Sequence, residues 1–420
     1  MRKGYKKTEV GVIPEDWEIV LLSDICEVNP KKDILENDDE VAFLPMEQVS
    51  NSGRIIEINT RKYGEVSKGY TPFKNKDVLL AKITPCFENG KRAIVENLQY
   101  KMGFGSTEFH VLRSLEERVM PKYLYYCIDT HRFKELAERN MTGSAGQKRV
   151  PTTFLKDFKL SIPPLKEQEK IAEILSTVDS QIDDTEKLIE KSKELKKGLM
   201  QKLLTKGIGH SEFKKTEVGE IPISWEVIEI SKCGVLMGGN AFKSSKFKTQ
   251  CHDEESYQVI RMGNVQEDKL DIDKNPVYLL KSDLMDKDRK YILNKHDVLI
   301  SLTGTVNKTD YGNVAEVEYN NKYLLNQRVA CIRSISDKCI NKYLYYIMKS
   351  SKFRKQFFEL GVGGTGNQAN VSINDLSLIK IPLPSISEQE QICQVLSQVD
   401  NSIEGFIDNK RNLEELKKGL

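Results

Sequence analysis

The sequence predicts an α+β protein: two globular modules of mixed α/β character, separated by two long antiparallel coiled-coil helices in a pseudo-twofold (cyclic) internal repeat. Three observations lead there. Strings of residues recur at a nearly constant offset. Each copy opens with short apolar runs broken by Gly, Pro and Asn, the pattern of strands and loops. Each copy closes, after a proline boundary, on a long stripe of apolar residues three and four apart, the period of a helix with one buried face.

The repeat comes first, because a repeat that goes unnoticed misreads the whole fold. Lys7-Thr8-Glu9-Val10-Gly11, Ile13-Pro14 and Trp17-Glu18 return as Lys215-Thr216-Glu217-Val218-Gly219, Ile221-Pro222 and Trp225-Glu226, at an offset of 208. Asp77-Val78-Leu79-Leu80 matches Asp297-Val298-Leu299-Ile300, and Lys122-Tyr123-Leu124-Tyr125-Tyr126 matches Lys342-Tyr343-Leu344-Tyr345-Tyr346, both at offset 220. Gly146 and Gln147 answer Gly366 and Gln368. Glu167-Gln168-Glu169-Lys170-Ile171 with Leu175, Val178 and Asp179 answers Glu388-Gln389-Glu390-Gln391-Ile392 with Leu396, Val399 and Asp400, at offset 221. The offset drifts slowly, so the duplicated unit is about half the chain.

Within a copy, the apolar runs Val78 to Ala81 and Phe109 to Leu112 read as strands, and Tyr123 to Arg139 reads as helix. After Pro163-Pro164 the stripe Ile171, Leu175, Val178, Ile182, Ile189, Leu195, Leu199, Leu203 predicts a helix about 50 Å long to Leu204 at roughly 1.5 Å per residue. The second copy gives Ile392, Leu396, Val399, Ile403, Phe406, Leu413, Leu416 and Leu420, with Lys410 answering Ile189. Two such stripes in one chain bury each other most economically, antiparallel if the modules stand at opposite ends. Gly209 to Gly219 resembles Lys3 to Gly11, so the start of the chain continues the pattern of its end. The second helix reaches Leu420, level with Leu199 of the first.

Bulk numbers exclude several classes. With 39% hydrophobic and 30% charged residues the 420-residue chain is neither disordered nor membrane-embedded, and no run of about 18 apolar residues occurs. Met1 to Val10 is polar and lysine-rich without an apolar stretch behind it, which points to the cytoplasm. The cysteines Cys26, Cys86, Cys127, Cys233, Cys251, Cys331, Cys339 and Cys393 are scattered singly, with no CxxC pair for zinc or redox chemistry. A net charge of +2 neither demands nor excludes nucleic acid, so local clusters must decide. Gly361-Val362-Gly363-Gly364-Thr365-Gly366 satisfies GxGxxG but does not join a strand to a helix, and reads as a polar loop. Asn275-Pro276-Val277-Tyr278 reads as a turn before a strand. Cys251-His252 has no ligand partners at zinc spacing. No catalytic or metal constellation emerges.

Three kinds of loop carry donors suited to phosphates and bases. After the first strand-like run come Lys82, Asn89, Lys91 and Arg92; the matching loop of copy two carries Ser301, Thr303, Thr305, Asn307 and Lys308. Gly105-Ser106-Thr107-Glu108 aligns with Leu325-Asn326-Gln327-Arg328. Gly146-Gln147-Lys148-Arg149 and Gly366-Asn367-Gln368 are glycine-hinged loops before the proline boundary. Arg and Lys read guanine, Asn and Gln read adenine, and Ser, Thr and Lys also hold phosphates. The helices and opening segments match closely between copies while these loops differ, as expected of a scaffold duplicated for geometry that reads two different sequences. The expected DNA-binding residues are therefore Lys82, Asn89, Lys91, Arg92, Thr107, Gln147, Lys148, Arg149, Thr303, Asn307, Lys308, Asn326, Gln327, Arg328, Asn367 and Gln368.

The opening string with Trp-Glu, the Asp-Val-Leu segment, Gly105 to Arg113 (Gly-Ser-Thr-Glu-Phe-His-Val-Leu-Arg) and Ile162 to Ile171 (Ile-Pro-Pro-Leu-Lys-Glu-Gln-Glu-Lys-Ile) together resemble the specificity subunit of type I restriction-modification enzymes. The resemblance covers essentially the whole chain. It implies two target recognition domains, at 1–163 and 208–384, with conserved spacer helices at 164–207 and 385–420. It implies a non-catalytic subunit that reads a split sequence in double-stranded DNA, one half per domain, and docks two modification (methyltransferase) subunits and restriction (translocase/nuclease) subunits. No cofactor belongs to this chain on that reading; S-adenosylmethionine, ATP and Mg belong to the partner subunits, and no membrane is involved. A stand-alone bipartite DNA-binding regulator and an enzyme with an unfamiliar site are the rival readings of the residues alone.

Overall fold

A computed structural model describes residues 4–144, 146–251, 255–267, 269–335, 337–363 and 368–419. The chain divides into two compact units, Met1–Asp183 with Asn412–Leu420, and Asp184–Arg411. We call them unit 1 and unit 2. The divisions fall inside the long helices, which span Leu165–Lys206 and Ile386–Gly419. The expected module edges at 163 and 384 mark where those helices begin, but each module also packs on the near part of its own helix and the far part of the other.

The repeated opening string decodes as a β-hairpin. Tyr5–Thr8 pairs antiparallel with Gly11–Pro14, and Phe213–Thr216 with Gly219–Pro222. Gly11 and Gly219 take φ of +125° and +102°, a conformation that only glycine adopts without strain. The Thr8 and Thr216 hydroxyls close the two turns by donating to the carbonyls of those glycines, at 2.7 and 2.6 Å.

Each unit then builds the same antiparallel four-stranded sheet. In unit 1 the order is Cys26–Val28, Phe109–Ser114, Val78–Ala81, Arg92–Ile94. In unit 2 it is Gly234–Gly238, Val329–Ser334, Val298–Ser301, Val314–Glu316. The strand at Val78–Ala81 reads as an unbroken apolar run because both its faces are covered: Val78 and Leu80 join one core cluster, Leu79 and Ala81 another. The aspartate before that strand is buried in both units. Arg113 binds Asp77 through two bonds of 2.8 and 2.7 Å, and Arg333 binds Asp297 through two of 2.8 and 2.6 Å. A second sheet in each unit holds one parallel pair, Gly103–Gly105 beside Glu40–Leu44 and Tyr323–Leu325 beside Ser256–Ile260.

The Glu-Gln string at each helix start anchors the helix to its module. Gln168 is 1% exposed; its Oε1 accepts from the Met120 amide at 2.9 Å and its Nε2 donates to the carbonyls of Arg118 and Pro163. Gln389, fully buried, makes the same three bonds to Ile340, Lys338 and Pro384. The glutamate one residue earlier accepts from the repeated tryptophan, Trp17 to Glu167 at 3.2 Å and Trp225 to Glu388 at 2.9 Å. From the tyrosine-rich helix that follows each anchor, Pro121–Cys127 in unit 1 and Asn341–Lys349 in unit 2, Tyr126 donates to Asp179 and Tyr346 to Asp400, at 2.9 and 2.8 Å.

In unit 2 the two long helices run antiparallel. Lys196 pairs with Asp400 at 2.6 Å and Lys410 with Glu186 at 3.1 Å, so ten residues forward on one helix meet ten residues back on the other. In unit 1, Lys417 pairs with Asp179 at 2.7 Å. Lys417 is the repeat counterpart of Lys196, and Asp179 that of Asp400, so each unit carries the same ion pair. Val178, Ile189, Ile392, Leu396 and Ile403 are buried as the stripe requires. Leu195 and Leu416 are not, at 56% and 52% exposed. The seam passes instead through the next residue, Lys196 or Lys417, whose aliphatic stem packs while its ammonium reaches an aspartate. Among the described residues, no helix is long and apolar enough to cross a membrane.

Candidate nucleic-acid interface

In unit 1 the three expected loops meet. The Lys82 amide donates to Glu108 at 2.8 Å, and the Lys82 carbonyl accepts from Val150 at 2.9 Å. The Thr84 amide donates to the Lys148 carbonyl, while the Lys148 amide donates to the Thr84 hydroxyl at 3.1 Å. Residues far apart in sequence are thereby drawn onto one surface, where Asn89, Thr107, Gln147 and Lys148 are exposed and Lys82, Lys91 and Arg149 are half-buried. Lys91 bonds the Met46 carbonyl at 3.0 Å. Arg149 grips Glu108 through two bonds, 3.0 and 2.8 Å, and this pairing holds the Glu108 carboxyl below the usual glutamate range.

Unit 2 repeats the backbone pattern one for one. Leu302 donates to the Arg328 carbonyl at 2.9 Å and accepts from Val371 at 3.0 Å. Thr303–Thr305 pairs with Gln368–Asn370, placing Thr305 opposite Gln368. Asn307, Lys308, Gln327, Arg328 and Gln368 are exposed. Arg328 stands at φ +70°, a strained setting for a non-glycine residue at the tip of its loop. Asn367 lies outside the described residues.

Three expected readers turn inward. Arg92 is 4% exposed, paired with Asp129 and stacked 4.7 Å over the Tyr125 ring, with a bond to the Gly90 carbonyl. It serves the core because its strand end lies beneath the tyrosine helix. Thr303 is 5% exposed and turns its hydroxyl to Asn370 at 3.4 Å. Asn326 is 9% exposed, and its Oδ1 has no hydrogen-bond partner among the described residues. None of the three presents its side chain to an incoming duplex.

The fold adds a segment that the sequence reading passed over. Asn240 bridges to Asn326 and its carbonyl accepts from the Gln327 amide at 2.9 Å, which lays Gly239 and Asn240 beside that loop, while Lys248 at the far end of the stretch pairs with Tyr278. A side chain at position 239 would start 1.9 Å from the Asn326 carbonyl, so only glycine allows the approach. Lys243 and Lys248, beyond it, are exposed. The signal was Gly238-Gly239-Asn240 followed by spaced lysines. Of the other strings, Asn275 sits in a turn at φ +47° before the strand Tyr278–Leu280, as its sequence suggests. Gly361 follows the helix Ser351–Glu359, while Gly364 to Gly366 and His252 lie outside the described residues. Among the described residues, no group of three or more His, Cys, Asp or Glu could hold a metal ion.

This duplicated architecture has known relatives. The sequence profile of the type I restriction modification DNA specificity domain matches twice, at residues 14–196 and 222–415. The chain is 31% identical, over all of its length and 95% of the relative's, to the putative type I restriction enzyme MjaX specificity subunit of Methanocaldococcus jannaschii. It is 27% identical to the type I restriction enzyme EcoAI specificity subunit of Escherichia coli, over 93% of this chain and 78% of that one. Among solved structures, the S subunit of the type I restriction-modification system of M. genitalium aligns with a TM-score of 0.56 at 14% identity, over 96% of this chain and 94% of the other. A chain from a study of complex assembly and conformational transition in the type I R-M system aligns with a TM-score of 0.57 at 16% identity, over 97% and 96%. At these identities the two structures speak to the fold alone, but the profile covers most of the chain and the Methanocaldococcus jannaschii relative all of it. The chain belongs to the type I restriction-modification DNA specificity family.

Proposed function

We propose that this chain is the DNA-recognition subunit of a type I restriction-modification complex, in which unit 1 and unit 2 each read one half of a bipartite target. The observation that carries the reading is the contrast within the repeat: identical buried anchors and identical backbone bonds support loops whose outward residues differ. Exposed Asn, Gln, Arg and Lys side chains on backbone-locked loops are the chemistry of base-edge and phosphate contact. The long helices then act as spacer, setting half-sites about one turn apart, roughly 34 to 36 Å, on one side of the duplex. They also offer exposed apolar residues, among them Ile174, Leu188 and Leu195, to modification subunits, of which the internal duplication suits two. This chain supplies no cofactor in that scheme. S-adenosylmethionine belongs to the modification subunits, which flip the target adenine, and ATP with Mg to the restriction subunits.

The test is co-expression with the modification subunits of its native host in a strain free of adenine methylation, followed by mapping of methylated adenines. A split motif with a fixed gap is the expected result. Replacing the loop residues of unit 2 by those of a relative should change one half of that motif only. Methylation without a bipartite pattern, or a change in both halves, would overturn the reading.

A further inference from the structure

Unit 2 contains a groove of about 1710 Å³ between the first long helix, the second long helix and the helix pair Asn341–Lys349 and Ser351–Glu359. Lys193, Lys197, Lys352 and Lys355 line it, and none of the four takes part in an ion pair among the described residues. Lys196 and Lys342, by contrast, are neutralised by Asp400 and Glu316. Burial, and next the charge of nearby Lys206, hold the Lys352 ammonium below the ordinary lysine range. Glu220, also in the lining, offsets the Lys352 charge only in part; several ammonium groups along one groove repel each other, and an incoming anion relieves that repulsion.

Unit 1 keeps only part of this feature although its scaffold is the same. The helix His131–Arg139 is the counterpart of Ser351–Glu359: Phe133 and Phe353 are both buried, and the Thr130 and Ser350 hydroxyls each accept from the amide of that phenylalanine at 3.3 Å. Glu135 stands where unit 2 has Lys355 and Glu414 where it has Lys193, and Asp129 replaces the nearby Lys349, while Arg132 and Lys418 keep a positive charge where unit 2 has Lys352 and Lys197. Glu135 is tied to Arg139, and Asp129 to Lys134, each at 2.5 Å. Duplication made the two surfaces alike, and divergence left that of unit 2 the more basic.

The groove is continuous with the reading loops. Arg354, on its wall, donates to the Gly312 carbonyl at 3.4 Å, and Phe358 packs edge-on against Tyr311 at 5.1 Å. Gly312 and Tyr311 belong to the loop that carries Asn307 and Lys308, so the groove begins where that loop is rooted. A polyanion whose bases are read at that loop extends past the groove, and a duplex is such a polyanion at every sequence.

We propose that the groove of unit 2 is a sequence-independent track for DNA phosphates, a second grip more basic than its counterpart in unit 1; the proposal rests on the bipartite reading above. The test replaces Lys193, Lys197, Lys352 and Lys355 by glutamine in the full chain, purified with its modification subunits. Affinity for the mapped target duplex and for a random-sequence duplex is then measured over a salt series. Each lysine that meets a phosphate contributes about 0.9 to the slope of log affinity against log salt, so the slope should become shallower by roughly 2 to 4 for both duplexes. The ratio of target to random affinity should stay within about twofold of the parent's. Arginine at the same four positions should keep the parent slope. If the glutamine variant melts early, Lys193→Gln with Lys197→Gln, both on an exposed helix face, should still lose roughly 1 to 2 of slope. An unchanged slope overturns the proposal. So does unchanged DNA binding with loss of a co-purifying subunit, which would assign the groove to an acidic protein surface. A parent complex that prefers no sequence would instead sink the bipartite reading, and the slope on random DNA would still report on the groove.

Discussion

In unit 1 the amide of Lys82 donates to Glu108 and its carbonyl accepts from Val150; in unit 2 Leu302 makes the same two bonds with Arg328 and Val371. The two bond lengths agree to within 0.1 Å, although lysine stands in one unit where leucine stands in the other, and glutamate where arginine does. Side chains at these positions are free to change because the loops are held by main-chain bonds, which do not depend on residue identity. At the anchors the opposite holds. Gln168 and Gln389 use both ends of the side-chain amide, so no other residue can replace them, and neither has changed. Divergence between the two units thus separates residues that hold the scaffold from residues that are available for recognition.

The sharpest way to break that comparison is at the anchors. Gln168→Ala strands the Met120 amide and two carbonyls in a dry site, and Gln389→Ala does the same at Ile340. With about 1 kcal/mol per lost bond and more for each orphaned group, each variant should lose about 3 to 4 kcal/mol in denaturant unfolding. The two losses should match. A loss below about 1 kcal/mol for either would show that the helix start is held by something else. Next in size is Arg92→Ala, which leaves Asp129 with Lys134 and the more distant Lys417, at 2.5 and 3.5 Å, and uncovers the Tyr125 ring. Removing one member of a buried pair typically costs 3 kcal/mol or more, and the remaining lysines reduce this to about 2 to 3. The variant should melt early yet, once folded, keep the parent's sequence preference. A folded Arg92→Ala protein with an altered first half-site would restore Arg92 to the recognition surface.

Arg92 also marks the limit of what the sequence conveys. The helix expected at 164–207 is found at Leu165–Lys206, because a proline pair and a 3–4 apolar period are local signals that packing does not override. The three loops were legible as a set, since each lies between a strand-like run and a glycine or proline. Which of their residues face outward was not. Arg92 and Arg149 are one residue type in similar loops, but Asp129, 37 positions downstream, draws one of them into the core. Asn326 and Gln327 are adjacent amides, and the strand pairing of Tyr323–Leu325 together with the bridge from Asn240 to Asn326 leaves the first buried and the second exposed. The seam residue was misplaced by one position for a related reason. A lysine reads as polar by type, and its burial depends on an aspartate on another helix.

Outward residues give the intermediate effects. Gln327→Ala or Arg328→Ala should cost about 1 to 3 kcal/mol of discrimination at positions of the second half-site and nothing at the first. Gln147→Ala and Lys148→Ala should do the reverse. Competition binding against single-base variants of the mapped target reads this directly. Uniform weakening across all variants would mark the residue as a phosphate contact. Altered discrimination in the other half would break the one-unit, one-half correspondence.

The smallest effect distinguishes the units by pH. His110 is buried on the strand Phe109–Ser114 of unit 1, and its counterpart in unit 2 is Ala330. Because a carbonyl can only accept, the His110 Nε2 carries the proton donated to the Val150 carbonyl at 2.7 Å, and Nδ1 accepts from the Asn29 side-chain Nδ2 at 3.1 Å. Protonating Nδ1 would oppose the Asn29 donor. Burial first, and the charge of Lys82 in addition, hold the imidazole pKa below the usual histidine range, against the pull of the Val150 carbonyl. An unfolded histidine takes up its proton near the ordinary pH of about 6.5, and the folded one resists. The stabilising contribution is therefore complete above that pH and is lost as the pH falls through the depressed folded value. Amide exchange, corrected for intrinsic rates, should show protection of Phe109–Ser114 falling more between pH 7.5 and 5.5 than that of Val329–Ser334. His110→Gln should remove the difference. Equal pH dependence of the two strands in the parent would mean that His110 does not set the acid sensitivity of unit 1.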